Sequence, residues 1–540
     1  MKFQVWAPIV KNLEIEVDGA LYTMRKKGDY FFADIDEAKA GSRYYFILNG
    51  KKRADPCSFS QPEGVFGPSE VIDFSQFQWD EQNYVRPPLE KAIFYELHTG
   101  TFTKEGTFDA AIEKLPYLKE LGVTVVELMP VATFPGRRNW GYDGVFLFAP
   151  ASCYGGPEGL KNFVQAAHKI GLAVVLDVVY NHFGPEGNTI DEFGPYLTDK
   201  YTTPWGGAVN FDDAGSDAVR KFVIDNALMW FENYHFDGLR LDAVQEIFDN
   251  SPQHIFAELK EKTAGLGWLI AESDLNDPKV VESPEKNGWG LDAQWADDFH
   301  HALHVVTTRN SHGYLMDFGK VEDLAKAIAQ GFVYDGKFSS FRKRFHGTCV
   351  KGFPPEKFIF CTQNHDQVAN AYLGERPGTD GQKKFMLFIL MMSPGLPLLF
   401  MGQERGTSSP FHFFTDFKTP KLAKAVTEGR KKEHEWDYIP DPQAYKTFTE
   451  SKIDWSQGEE EALWTKELIA LRHTVVKERP KVSFSEENRW LVLVYNKHIV
   501  TANLSEMPQE IPLPNDKGNL IFYTGDELNA PWSGAVFALF

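Results

Sequence analysis

Two carboxylates, each at the end of an apolar run, carry the chemistry of this chain. Gly238-Leu239-Arg240-Leu241 runs into Asp242, and Trp268-Leu269-Ile270-Ala271 runs into Glu272. Apolar runs that stop at Asp or Glu are what the C-terminal ends of inward-packed parallel strands look like. On neighbouring strands such a pair can split a glycosidic bond, one carboxylate attacking the anomeric carbon while the other protonates the leaving oxygen; retention needs them about 5 to 5.5 Å apart. Arg240 shares a strand face with Asp242 and favours the ionised form a nucleophile needs. Glu272 needs a raised pKa, which nearby carboxylates and partial burial can supply.

Further polar residues follow other apolar runs. Asp177 stands at the end of the run Leu172–Val178 with Asn181 and His182 just beyond, and Asn364-His365-Asp366-Gln367 comes after Phe358–Thr362. Asp366 suits a third role, gripping sugar hydroxyls and sustaining the field that keeps Glu272 protonated. His182 and His365 can donate to hydroxyls. Tyr142, in Trp140-Gly141-Tyr142-Asp143-Gly144, offers either a stacking ring or core packing. Asp177 has two readings, a substrate contact or a brace paired with Arg240. The i,i+4 pair His300 and His304 lacks the HExxH arrangement, so packing or a place in the substrate site fits better than zinc.

An architecture must bring these residues together. From about residue 90 the chain alternates strand, loop and helix, with candidate strands at 92–97, 123–128, 172–178, 236–241, 267–271, 291–294, 358–362 and 397–401. Helical patterns at 108–121, 159–170, 216–234 and 252–264 fall between them. Eight such units predict a (β/α)₈ barrel across residues 87–480, whose C-terminal rim would gather the polar residues. A Gly- and Pro-rich piece at about 181–213 is too long for an ordinary βα loop and predicts a lobe over that rim. Residues 1–86 alternate in short runs with turns at Asp18-Gly19 and Asn49-Gly50, as in an antiparallel sandwich. Arg86-Pro87-Pro88 reads as a linker, and residues 481–540 as a second small β domain.

The bulk numbers narrow the partners. With 540 residues the chain exceeds one compact core. Its 56 basic and 75 acidic residues leave a formal charge of −19, which repels nucleic acid and anionic lipid but not a neutral glucan. The four cysteines lie far apart without metal-ligand spacing. No signal-peptide or membrane-spanning pattern is visible, so the cytoplasm is the expected location.

The segments Asp177-Val178-Val179-Tyr180-Asn181-His182, Gly238–Asp242, Glu272 and Asn364-His365-Asp366 together resemble, in this order, the four short regions of the α-amylase superfamily. The resemblance implies Asp242 as nucleophile, Glu272 as general acid/base and Asp366 as transition-state stabiliser. Tyr142, Asp177, His182, Arg240, Asn364 and His365 become substrate-contacting partners, and no cofactor or metal is implied. Residues 271–278, 297–304 and 363–370, with the early Val5-Trp6-Ala7-Pro8, are similar to the trehalose-releasing hydrolases of that superfamily. Those enzymes cleave the α-1,4 bond next to the terminal trehalose of a trehalose-capped α-glucan, with retention, after a maltooligosyltrehalose synthase has isomerised the reducing end. Ala369 departs from the pattern, standing where a glycine is expected. Branching and debranching enzymes share the same four regions and remain the alternative, since the contest between water and a glucan acceptor is decided outside them. A non-catalytic glucan binder is the third reading, against which the complete carboxylate trio weighs. The trehalose end would be read by loops at about 132–140, 273–290 or 331–357.

Overall fold

The computed structural model describes every residue except 351, 435–436, 514–517, 526 and 540, with the side chains of 433 and 434 also left aside. Eight parallel strands close into a barrel in chain order: β1 (Phe94–Leu97), β2 (Val125–Leu128), β3 (Ala173–Val178), β4 (Gly238–Leu241), β5 (Trp268–Ala271), β6 (Ala293–Trp295), β7 (Phe358–Cys361) and β8 (Leu396–Phe400). Pairing of β8 with β1, Leu398 opposite Phe94, closes the ring. Every barrel strand expected from the sequence is present, with no end moved by more than two residues. Alternation along the strands separates two cores. Phe94, Val125, Val175, Ile270, Ile359 and Leu398 belong to one cluster, apart from the larger one that includes Val126, Leu176, Leu239 and Leu269. That is the division between a barrel's interior and the layer under its helices.

The helix expected over 108–121 is two pieces, Phe108–Ile112 and Leu115–Leu121. Pro116 sits in the first turn of the second piece, where its missing N–H costs nothing but a continuous helix is impossible. The stretch before β7 holds a helix, Val321–Gln330, and a hairpin, Asp335–Ser339 with Arg344–Gly347. The lobe after β3 is built on a second hairpin, Leu197–Thr203 with Gly206–Val209.

Two antiparallel sheets precede the barrel, one from Lys2–Trp6, Arg25–Lys27 and Tyr30–Asp34, the other centred on Glu14–Val17 and Arg43–Leu48. They pack against the lobe: Trp6 meets Tyr196 edge to face at 5.0 Å, and Arg53 grips Glu192 through two hydrogen bonds of 2.7 and 2.9 Å. A five-stranded antiparallel sheet, Lys481–Ser485 through Ser533–Ala538, follows the barrel.

The expected linker, Arg86-Pro87-Pro88, and the residues just before it are fastened to the barrel, with Arg86 Nη1 donating to the Leu266 carbonyl at 2.7 Å. Glu81 pairs with His168 and His235 at 2.7 Å each, and the Tyr84 hydroxyl donates to Asp237 at 2.8 Å while its ring stacks on His168. Burial opposes the charged forms, but the opposite charges outweigh it. His168 is raised from 6.5 to about 9 by Asp237 and Glu81, and Glu81 is lowered from 4.5 to about 2 by the two histidines. His168 therefore contributes its full stabilisation below pH 6.5 and loses it as pH rises through 9; Glu81 contributes fully above pH 4.5 and loses it as pH falls through 2. Glu81→Gln is expected to lower the melting temperature most between pH 4.5 and 6.5, and a deficit that stays constant from pH 5 to pH 10 would show that the clasp is not the cause.

Candidate active site

The residues singled out by type meet at the C-terminal rim, and one buried guanidinium organises them. Arg240, at 0% side-chain exposure, projects from β4 into the barrel. Its Nη1 donates to Asp177 Oδ1 and Oδ2 at 2.9 and 2.8 Å and to Asp242 Oδ1 at 2.8 Å; Nη2 lies 2.8 Å from Glu272 Oε2. Trp295 of β6 covers the same group, its ring centre 4.4 Å from the guanidinium carbon. A charge removed from water this completely needs such partners.

Backbone geometry sets the rest. Ala243 follows Asp242 with φ +40, a left-handed conformation that is strained for a residue with a Cβ. Its N–H thereby reaches Glu272 Oε2 at 2.8 Å, and the Val244 N–H reaches the Glu272 carbonyl at 3.0 Å. Asn181 Nδ2 donates to Asp242 Oδ2 at 2.7 Å and to its carbonyl at 2.9 Å. Gly141, at φ +110, lies so close to the Pro130 carbonyl that a Cβ would stand 2.1 Å from it; only glycine admits the turn that presents Tyr142.

The Tyr142 hydroxyl donates to Asp177 Oδ2 at 2.7 Å and lies 2.9 Å from His365 Nε2. His182 Nε2 lies 2.8 Å from the Tyr142 carbonyl, its Nδ1 contacts Asn181 Oδ1, and its ring stacks on half-exposed Trp205 at 4.0 Å. Asp366 stands beside His365, with 3.4 Å between Oδ2 and Nε2.

Charge distribution separates two of the carboxylates of the site, Glu272 and Asp366. Burial, helped by the charges of Asp242, Asp366 and Asp297 and opposed by Arg240, lifts Glu272 to about 8. Burial would also lift Asp366, but the cations of His365 and Arg240 hold it at about 2. One carboxyl is thus kept protonated at neutral pH and the other ionised, the division that acid/base work requires.

Accessibility divides the residues of the motifs. Side-chain exposure is 10% for Asp242, 18% for Glu272 and 39% for Asp366, whereas Asp177 and Arg240 have essentially none. Asp177 and Arg240 lie beneath the carboxylates and pair with each other. Asn364 is likewise buried: its Oδ1 caps the short helix His365–Ala369 through the Gln367 N–H, and its Nδ2 faces Cys361 Sγ. It positions His365 and Asp366. Ala369 ends that helix without a left-handed backbone, so the position does not require glycine.

Several members were not singled out in the sequence. Glu96, at the end of β1, accepts from His365 Nδ1 at 2.5 Å and from the His365 N–H at 3.0 Å. Asp297, at the start of the helix Asp297–Thr308, is raised to about 7 by burial and by Asp366 and Asp298. Both stand at the end of barrel strands, which was the signal available. Beyond Glu272 and Asp297 a cleft of about 260 Å³ opens between Ser273, Asp274, Asn276, Tyr314, Tyr334, Phe341 and Arg342. Two of the three loops suspected of reading the far end of the substrate supply all of these residues but Tyr314, and 132–140 supplies none. His301 lines the cleft, while His300 and His304 stack on each other at 5.5 Å within the buried face of their helix. Among the described residues no group of three or more His, Cys, Asp or Glu is arranged to hold a metal ion.

A closed barrel with this rim defines an α-amylase-type glycoside hydrolase, and the family model for the alpha amylase catalytic domain matches residues 69–202. The chain is 46% identical over 503 residues to the malto-oligosyltrehalose trehalohydrolase of Saccharolobus solfataricus, covering 92% of this chain and 89% of that one. It is 40% identical to the protein of the same name from Mycobacterium tuberculosis, over 95% of this chain and 94% of that one. A crystal structure from Salmonella typhimurium, of a protein provisionally assigned as an alpha amylase, superposes with a TM-score of 0.93 at 37% identity, covering 100% of this chain and 97% of that one. The chain belongs to the malto-oligosyltrehalose trehalohydrolase family.

Proposed function

We propose that this enzyme hydrolyses, with retention, the α-1,4 bond between a maltooligosaccharide and its terminal trehalose. Asp242 attacks the anomeric carbon while Glu272 protonates the departing trehalose oxygen. Glu272, now a carboxylate, takes a proton from the water that releases the glycosyl group from Asp242. Asp366, ionised and open to the cleft, binds hydroxyls of the reacting sugar, with His182 and Tyr142 at its side. The observation that carries this reading is the single guanidinium whose two terminal nitrogens lie 2.8 Å from Asp242 and 2.8 Å from Glu272, a shared contact that fits the close spacing a retaining glycosidase needs.

We place the trehalose unit in the cleft lined by Ser273, the chain neighbour of Glu272, and by Asp297. Tyr314, Tyr334 and Phe341 offer rings, and Asp274, Asn276 and Arg342 offer hydrogen bonds. The names of the relatives support hydrolysis next to trehalose over branching or debranching. The substrate would come from a maltooligosyltrehalose synthase. A cytoplasmic setting agrees with four free cysteines and with the lack, among the described residues, of any helix long and apolar enough to cross a membrane. Incubation with maltotriosyltrehalose is expected to give trehalose and maltotriose in equal amounts, with maltopentaose cut far more slowly. Chromatography that shows redistributed or branched chains and no trehalose would replace the hydrolase with a transferase.

A further inference from the structure

The hydrogen bonds around His365 allow its protons to be counted. The Tyr142 hydroxyl has one proton, which it gives to Asp177 Oδ2 at 2.7 Å. Asp177 is an acceptor there, since both its oxygens also receive Arg240 Nη1. The 2.9 Å contact between Tyr142 and His365 Nε2 therefore needs its proton on Nε2. On the other side of the ring, Nδ1 lies 2.5 Å from Glu96 Oε1, while Glu96 Oε2 accepts the His365 backbone N–H at 3.0 Å. A carboxylate that receives on both oxygens calls for a second ring proton, on Nδ1.

We infer that Glu96 is a positioning residue that holds His365 as an imidazolium beneath Asp366. This rests on the proposed role of Asp366. The cation faces Asp366 at 3.4 Å and gives that carboxylate a counter-charge that leaves its accessible oxygens free for sugar hydroxyls. Other groups around the ring are consistent with this. Asp366 and Glu96 favour the charged ring against its burial. Asp177 lies within electrostatic reach on β3, and the Arg240 charge is already spent on three carboxylates. His98, behind β1, is held neutral by burial, at about 4. Glu127 stands opposite Glu96 in the β1–β2 register, with neither carboxyl oxygen hydrogen-bonded, and burial and Glu96 push it well up.

The test combines ring NMR of ¹³C-labelled histidine, assigned with His365→Asn, with pH profiles of Glu96→Gln and Glu96→Asp on maltotriosyltrehalose. In the wild type the His365 ring is expected to keep imidazolium shifts from pH 5 to 8. In Glu96→Gln it should titrate near the ordinary histidine value, about 6.5. The kcat of that variant should fall about 10²-fold at neutral pH, with a new loss of activity above the same midpoint and a smaller change in KM; Glu96→Asp should restore part of both. A wild-type ring that is neutral at pH 7, or a Glu96→Gln ring and pH profile that match the wild type, would overturn the inference. If Gln at 96 blocks folding, the wild-type ring alone decides. Loss of trehalose release by His365→Asn with an imidazolium in the wild type would keep the charge assignment even if Asp366 proved to have another role.

Discussion

Asp242→Asn is expected to reduce trehalose release by on the order of 10⁴- to 10⁶-fold, the scale seen when a catalytic nucleophile is removed. The amide has nearly the same shape as the carboxylate: its one oxygen can keep the Arg240 contact, its NH2 gives up the side-chain contact from Asn181, which still holds the backbone carbonyl, and Arg240 keeps Asp177 and Glu272 as counter-charges. Binding of maltotriosyltrehalose, followed by calorimetry, should therefore survive within about tenfold while turnover disappears. A variant that retains more than a tenth of the wild-type rate would exclude Asp242 as the attacking group.

Glu272→Gln has the next largest expected effect, and here the leaving group decides. Trehalose departs as an alkoxide unless it is protonated, so the natural substrate should lose about 10² to 10⁴-fold in rate. An α-glucosyl fluoride, whose leaving group needs little help from an acid, should lose far less in its glycosylation step. The pH profile gives a second reading of the same carboxyl. With Glu272 raised to about 8 by burial and by Asp242, Asp366 and Asp297, the acid is present below that pH and is lost above it. The wild-type kcat/KM should accordingly decline as pH rises through about 8, and Glu272→Gln should lack that decline. Equal losses on both substrates, or an alkaline limb that persists in the variant, would assign the acid role elsewhere, with Asp297 at about 7 the next candidate.

The local signals in the sequence were of two kinds. The alternation of strand, loop and helix patterns placed all eight barrel strands, and apolar runs that stop at Asp177, Asp242 and Glu272 or lead into Asn364-His365-Asp366 put the polar residues on one rim. The break at Pro116 and the fastening of the connection before β1 were missed for different reasons. A helical period continues across a first-turn proline, and Glu81 and Tyr84 carry no sign of which histidine or aspartate they will meet.

The sequence by itself determined the kinds of chemical groups and the strand ends that carry them, because both are written in residue type and short-range pattern. Only the tertiary structure decided which groups face the cleft and which are spent on one another. Asp177, Arg240 and Asn364 belong to the same motifs as the trio, yet their side chains are buried and hold the others in place. Glu96 binds His365 from 269 positions away along the chain, a contact created by closing β8 onto β1. The charges on Glu272 and Asp366 have the same origin. Burial and the distances to Arg240, His365 and neighbouring carboxylates set them, and barrel closure fixes those distances.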